Sequence, residues 1–449
     1  MKKIYFLKAL LITLLFLGCK SEMFEVDVNK LQEIYNSTIP FEYQPLDPTV
    51  TLYLDHSTCV IDARQNSPVF KALKGQLGLY TDTLCLIKGK EFEYVPNTDK
   101  SPTSTDVFNK INEINKDIPY ADIGQAVANI CNGNSQAILI TDCEYFDKNN
   151  RNQDGFPYLS GAFKYWLQKG YVIYVITEPY QERNNGKMYE KKRFYFIFTD
   201  DRMSTPISDN IMSELQSLLQ NNACKLFKLT NSDIFVNREG EMVEQDLSFT
   251  HESLNGFDFV TIDDDWGSIR EFVMKLDEYG EPIPEEAPAP LIKNLAFNNG
   301  YNYFIDDVEV VATNITARYL SKDCESAENL KLDCKDINPN EIDMSEGFRI
   351  DKKALQGSKI NVFLTDKVFK YITSEYGGNV IRLDFVVTKA GLQDYDPDMF
   401  SWKSLYSNEN ATCVAKSIEN VLYDAAIVPM NKDRRVIHTV FIKTEVYNN

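Results

Sequence analysis

The chain has 449 residues, enough for two or more domains, and its 43% hydrophobic content supplies ordinary cores, so disorder is excluded as the bulk state. A formal charge of −19 excludes nucleic acid and anionic lipid headgroups as electrostatic partners, because both are repelled. Nine cysteines spread over so long a chain exclude a disulfide-built scaffold.

Residues 1–19 read as an export leader. Lys2 and Lys3 form a positive start, Ala9 to Leu17 an apolar run too short to span a bilayer, and Leu17-Gly18-Cys19 a small-residue cleavage site. This pattern resembles a bacterial lipoprotein signal peptide. The resemblance implies that Cys19 carries palmitate-type acyl chains, becomes the mature N-terminus and anchors the protein without a spanning helix. A buried N-terminal helix with a chance cysteine is the alternative. Glu22 and Glu25 follow the cysteine, as in the export signals of surface lipoproteins in Bacteroidota. The implied address is the outer membrane, on its periplasmic or cell-surface face. No later stretch reaches the roughly 18 apolar residues a transmembrane helix needs.

Residues 20–47 are mixed polar and read as a tether ending in Pro45-Leu46-Asp47-Pro48. Strand and helix patterns then alternate. Strands are expected at Val50 to Asp55, Leu84 to Lys88, Ala137 to Asp142, Tyr171 to Thr177, Arg193 to Thr199 and Lys225 to Leu229. Helices are expected at Val69 to Leu77, Thr105 to Ile114, Ile123 to Ile130, Gly161 to Gln168 and Ile207 to Leu219, the last with Ser208 in its N-cap region. Apolar strand runs between amphipathic helices predict an α/β domain over 48–235 with a mostly parallel sheet covered on both faces. Residues 236–290 read as an extension of that domain or an insertion, closed by the Pro/Glu-rich spacer Glu281 to Pro290, which suits neither helix nor central strand. Extended runs at Val308 to Leu320, Ile360 to Leu364, Val380 to Thr388 and Val436 to Val446 predict a C-terminal β-sandwich over 291–449.

Acidic turns follow two of the apolar strands. Asp55-x-Ser57-x-Cys59, then Tyr120-Ala121-Asp122-Ile123-Gly124, then Leu139-Ile140-Thr141-Asp142 are similar in order and spacing to the von Willebrand factor A-like family. The resemblance covers roughly residues 48–235 and implies a Rossmann-like sheet with a metal-ion-dependent adhesion site. It assigns Asp55, Ser57 and Asp142 as Mg²⁺ ligands, because Mg²⁺ takes hard oxygens and keeps waters, leaving one position for a ligand's carboxylate. Cys59 stands in place of the second serine and Ala121 in place of the threonine. A thiol is poorly matched to Mg²⁺ and a methyl is no ligand, so the site reads as degenerate, with Cys59, Asp122 and Cys143 on its rim. Other arrangements stay open: a tetrahedral Zn²⁺ site of His56, Cys59, Asp142 and Cys143, a Cys59–Cys143 pair, or the two thiols packing as small apolar residues.

Cys324 and Cys334, nine residues apart in a polar stretch, are a candidate disulfide, with free thiols as the alternative. Asn150-x-Asn152-x-Asp154-Gly155 lacks the glutamate of a Ca²⁺ loop, and Asp394-x-Asp396-x-Asp398 lacks the glycine as well. There is no Gly-x-Ser-x-Gly elbow and no phosphate loop. The expected function is non-catalytic: a lipid-anchored envelope protein that binds protein or serves an assembly, with no nucleic acid partner. The alternative is a metal-assisted hydrolase using Asp55, Asp142 and His56 around a divalent ion.

Overall fold

The computed structural model of the chain describes residues 25–38, 45–57, 60, 66–113, 118, 120–144, 157–184, 186–230, 236–237, 241–242, 249–254, 256–262, 267–274, 277, 279, 281, 289–297, 301–326, 341–351, 359–372, 377–402, 414–424 and 435–445. The leader with Cys19 lies outside them. No helix among the described residues is long and apolar enough to cross a membrane.

The architecture is mixed α/β. After α1 (Val28–Thr38) come β1 (Asp47–Asp55), α2 (Pro68–Tyr80), β2 (Thr83–Lys88), β3 (Glu91–Pro96), α3 (Thr105–Asn112), α4 (Ile123–Asn132), β4 (Ser135–Thr141), α5 (Ser160–Gln168), β5 (Val172–Asn184), β6 (Lys187–Thr199), α6 (Ile207–Gln220) and β7 (Lys225–Leu229). Seven strands pair in the order β3-β2-β1-β4-β6-β5-β7. Side chains alternate between the faces of a strand, and both faces here are covered, which is why β1 is apolar from Leu52 to Leu54 and β4 from Ala137 to Ile140. Tyr53, Leu139, Phe194, Phe196 and Phe198 face α4 and α5, where they meet Ile123, Val127, Phe163 and Trp166. Leu52, Leu54, Ile138, Ile140 and Ile197 face α2, α3 and α6, where they meet Leu73, Leu77, Phe108, Ile211 and Leu215.

The expectation of a mostly parallel sheet is corrected. Parallel pairing is confined to β2, β1 and β4, and β3, β6, β5 and β7 all pair antiparallel. The cause is a long hairpin. Gly186, at φ 81, permits the tight reversal after β5, so β6 returns antiparallel and lodges between β4 and β5. That hairpin also runs further than expected, to Asn184 and from Lys187.

Local chemistry sets the helix starts. Ser67 caps α2, accepting the Phe70 N–H, with Pro68 at the first helical position. Gly78 of α2 lies against the chain at Ser101, whose carbonyl oxygen would be 2.4 Å from an added Cβ. Ser208 is not the cap of α6. The helix begins one residue earlier, and Gln136 Oε1 on β4 accepts the Ile207 N–H at 2.8 Å.

The later chain comprises β8 (Val236–Asn237), β9 (Glu241–Met242), β10 (Phe249–Ser253), β11 (Asp258–Ile262), α7 (Gly267–Val273), β12 (Ile292–Phe297), β13 (Tyr303–Asn314), α8 (Thr316–Ser326), β14 (Ile342–Asp343), β15 (Phe348–Ile350), β16 (Lys359–Leu364), β17 (Gly378–Leu392), α9 (Val414–Leu422) and β18 (Val436–Glu445). One sheet has the order β10-β11-β18-β17-β13-β14, and a second has β15-β16-β12-β8 with β9 also on β12. A single apolar cluster takes Val260, Val308, Leu383 and Ile442 from the first and Ile292, Leu295, Ile360 and Val362 from the second. Strands β8 to β11 therefore pair with these sheets and not with the first one. The Val308 to Leu320 run changes state at Asn314, whose Oδ1 accepts from Thr316 N and Oγ1 and so opens α8. Helix α1 lays Leu31 and Ile34 on Phe257 and Phe441. Met399, Phe400, Trp402 and α9 join the core of the first sheet beside α5.

Candidate functional site

The parallel strands β1 and β4 end side by side, and turns at the carboxyl ends of such strands are where α/β sheets build sites. Asp55 closes β1. Its Oδ1 accepts from Ser57 N at 2.9 Å and Ser57 Oγ at 2.6 Å, and its Oδ2 accepts from Thr141 Oγ1 at 2.8 Å. Thr141 in turn accepts the Cys143 N–H, and Cys143 holds the left-handed conformation at φ 55 that turns the chain after β4. Asp142 projects on the opposite face of the sheet from Thr141, toward the hairpin, with its Oδ1 accepting from Glu144 N at 3.0 Å.

The hairpin completes the crevice. Tyr180 is the cross-strand neighbour of Lys191, and Glu178 that of Arg193. Tyr180 Oη donates to Asp142 Oδ2 at 3.1 Å. Lys191, 1% exposed, places its Nζ 3.2 Å from Asp142 Oδ2, 2.8 Å from Glu144 Oε2 and 2.5 Å from Glu182 Oε2. The Trp402 ring centroid is 4.7 Å from that ammonium, and Trp402 Nε1 donates to the Asp142 carbonyl at 3.4 Å. One turn along the hairpin lies a second buried pair. Arg193 Nη1 donates to Glu178 Oε2 at 3.0 Å, while Glu178 also accepts from Ser67 Oγ, Tyr195 Oη and the Val69 N–H at the start of α2.

Carboxylates outnumber cations here, and the titration behaviour follows. Burial first, and the charge of Asp142 second, push the Asp55 carboxyl up from 3.8 to about 6, against the opposing bonds from Ser57 and Thr141. Burial and Asp142 likewise raise Glu144, with Lys191 opposing.

The described residues do not fit the Mg²⁺ shell that the sequence resemblance implies. Asp55 spends both oxygens on Ser57 and Thr141, and Asp142 Oδ2 accepts from Tyr180 Oη and the Lys191 ammonium. A divalent ion needs such oxygens unencumbered. Among the described residues no group of three or more His, Cys, Asp and Glu side chains forms a metal-holding cluster.

Of the residues singled out from sequence, Asp55, Ser57 and Asp142 do converge, with Cys143 beside them. Asp122 is spent elsewhere: it caps α4 by accepting the Gln125 N–H, and Ala121 bridges to Gly89 at the end of β2. His56 is buried, and its backbone N–H donates to Ile87 O at 3.1 Å. Cys59 lies outside the described residues, and Cys143 is a buried thiol outside any disulfide. Cys324 falls in α8, while its candidate partner Cys334 and the Asn150 loop lie outside the described residues. Asp396 pairs with Lys225 and accepts the Asp398 N–H, a closed turn. Sequence reasoning missed Lys191, Tyr180, Glu182, Glu178 and Arg193. Their signal was the Asn185-Gly186 turn between the two strand runs, which marks a hairpin whose polar arms could extend past Thr177 and before Arg193. No family model, no curated protein and no solved structure matches the chain.

Proposed function

We propose that the chain is a lipid-anchored cell-envelope protein whose von Willebrand A-like domain, carried with a C-terminal β-sandwich, binds a protein partner or holds an assembly without catalysing a reaction. The observation that carries this reading is the Lys191 cluster. Asp142, Glu144 and Glu182 are committed to an internal ammonium, and Asp55 to two hydroxyls, which leaves the crevice organised for shape and polarity rather than for activating water. The anchor rests on the Leu17-Gly18-Cys19 leader.

The two parts are tested separately. Replacing Cys19 by Ser is expected to shift the protein from the membrane fraction to the soluble one; unchanged fractionation removes the anchor. For the binding role, a photo-crosslinking residue at exposed Pro179, between Glu178 and Tyr180 on β5, is expected to give a discrete protein adduct in whole cells. Turnover of model esters or phosphoesters that is lost in Asp55→Ala would overturn the reading in favour of a hydrolase.

A further inference from the structure

We infer that Lys191 is a built-in cation: its ammonium takes the place of a divalent ion among the crevice carboxylates, so the crevice is assembled without metal and is blind to Mg²⁺ and Ca²⁺. This deepens the metal-free reading proposed above and rests on it only in the comparison with a metal-bearing site.

The lysine enters from β6, a strand that the hairpin has inserted between β4 and β5. Its side chain is almost fully enclosed, yet the charged end meets three carboxylates from two different segments, Asp142 and Glu144 in the turn after β4 and Glu182 on β5. A lysine that merely snorkels to solvent keeps its ammonium wet. This one does the reverse, and its desolvation is offset only because the three carboxylates and the Trp402 face surround it. One positive charge against three negative ones leaves an excess, consistent with the upward push on Glu144. Removing the lysine would leave three carboxylates converging on a vacated space, which is an arrangement for a hard cation.

The distances also select the cation. Oxygens now 2.5 to 3.2 Å from Nζ need little movement to reach the roughly 2.3–2.6 Å of Ca²⁺ coordination, but a larger contraction and a strict octahedron to reach about 2.0–2.1 Å for Mg²⁺.

The experiment is calorimetric and thermal titration of the mature soluble chain with CaCl₂, MgCl₂ and EDTA, for the native sequence and for Lys191→Ala. The native chain is expected to show no saturable heat and no change of melting temperature with any of the three. Lys191→Ala is expected to melt lower, to be restored by Ca²⁺ more than by Mg²⁺, and to bind Ca²⁺ in about the 10⁻⁴–10⁻³ M range of extracellular sites. Adding Glu182→Gln should weaken that binding by roughly tenfold, since affinity follows the charge count of the ligands. Lys191→Gln, a milder change, guards against failure to fold and carries the same expectation on a smaller scale. Saturable Mg²⁺ or Ca²⁺ binding by the native chain that Asp142→Asn abolishes would overturn the inference, and so would indifference of both Lys191 variants to Ca²⁺. Neither outcome touches the crosslinking test of the binding role, so the two readings fail independently.

Discussion

The raised carboxyl of Asp55 makes stability depend on pH in an unusual direction. A carboxyl whose folded pKa exceeds its unfolded value disfavours folding wherever it is ionised in both states, so its cost is fully present above about 6 and is relieved as the pH falls toward 3.8. At about 1.4 kcal/mol per pH unit, that interval corresponds to about 3 kcal/mol. Asp55→Asn removes the titration. The Asn carbonyl can still accept from Ser57, while its amide must donate to Thr141, which already accepts from Cys143; the absolute stability of the variant therefore moves for reasons other than charge. The informative quantity is the difference between the two proteins as a function of pH. Urea unfolding at pH 7.5, 6.5, 5.5 and 4.5 is expected to show little change between the first two and then the native chain gaining on Asp55→Asn as the pH falls below about 6, by about 2 kcal/mol in all at pH 4.5. Glu144 titrates in the same direction but in both proteins, so it cancels. A difference that stays flat over this range, or that grows with rising pH, would refute the account of a buried, under-neutralised carboxyl.

Other outcomes follow from the packing. Glu178→Ala leaves the Arg193 guanidinium buried without its carboxylate and is expected to cost about 3–5 kcal/mol in urea unfolding, whereas Glu178→Leu with Arg193→Met should recover much of that loss. Trp166→Ala empties a fully buried site on α5 and orphans the Val172 carbonyl, which its Nε1 meets at 3.0 Å; a loss of about 3–5 kcal/mol is expected by the same assay. Glutamyl endopeptidase is expected to nick Glu285 or Glu286 in the Pro/Glu-rich spacer, yet the two fragments should co-elute on gel filtration, because β11 before the nick pairs with β18 after it.

Much of the first sheet was legible because its signals are local. The 3.6-residue spacing of Val69, Leu73 and Leu77, or of Ile123, Val127 and Ile130, marks a helix without knowledge of its partner. The unbroken apolar run from Ala137 to Ile140 marks a strand covered on both sides. The hairpin was read short for the opposite reason. Glu178, Glu182, Lys191 and Arg193 look like residues that end a strand in solvent, and they prove compatible with a buried strand only because each finds a charge across the ladder, a pairing over 9 to 15 residues that periodicity does not encode. Strands β8 to β11 were harder still. β10 pairs locally with β11, but β8 and β9 find β12 and β11 lies beside β18 in parallel, and nothing in a short window specifies such distant contacts.

The candidate site divides along the same line, and the division has a consequence. Asp55 and Asp142 were legible because an acid at the end of a core strand needs a reason to be there. Lys191 was not, since a lysine in the polar first half of a strand ordinarily points to water. Supplying a cation from the chain fixes the crevice permanently, but it supplies one charge where a divalent ion supplies two, and the deficit surfaces at Asp55 and Glu144. The pH test and the ion test are therefore linked. In Lys191→Ala loaded with Ca²⁺, two positive charges would stand beside Asp142, whose negative charge is the second cause of the Asp55 shift. The Asp55 carboxyl should then fall back toward the ordinary range, and the gain in stability on acidification should shrink relative to the native chain. Were that gain unchanged in the Ca²⁺-loaded variant, burial alone would account for the behaviour of Asp55, and the charge deficit of the lysine-filled crevice would have no thermodynamic weight.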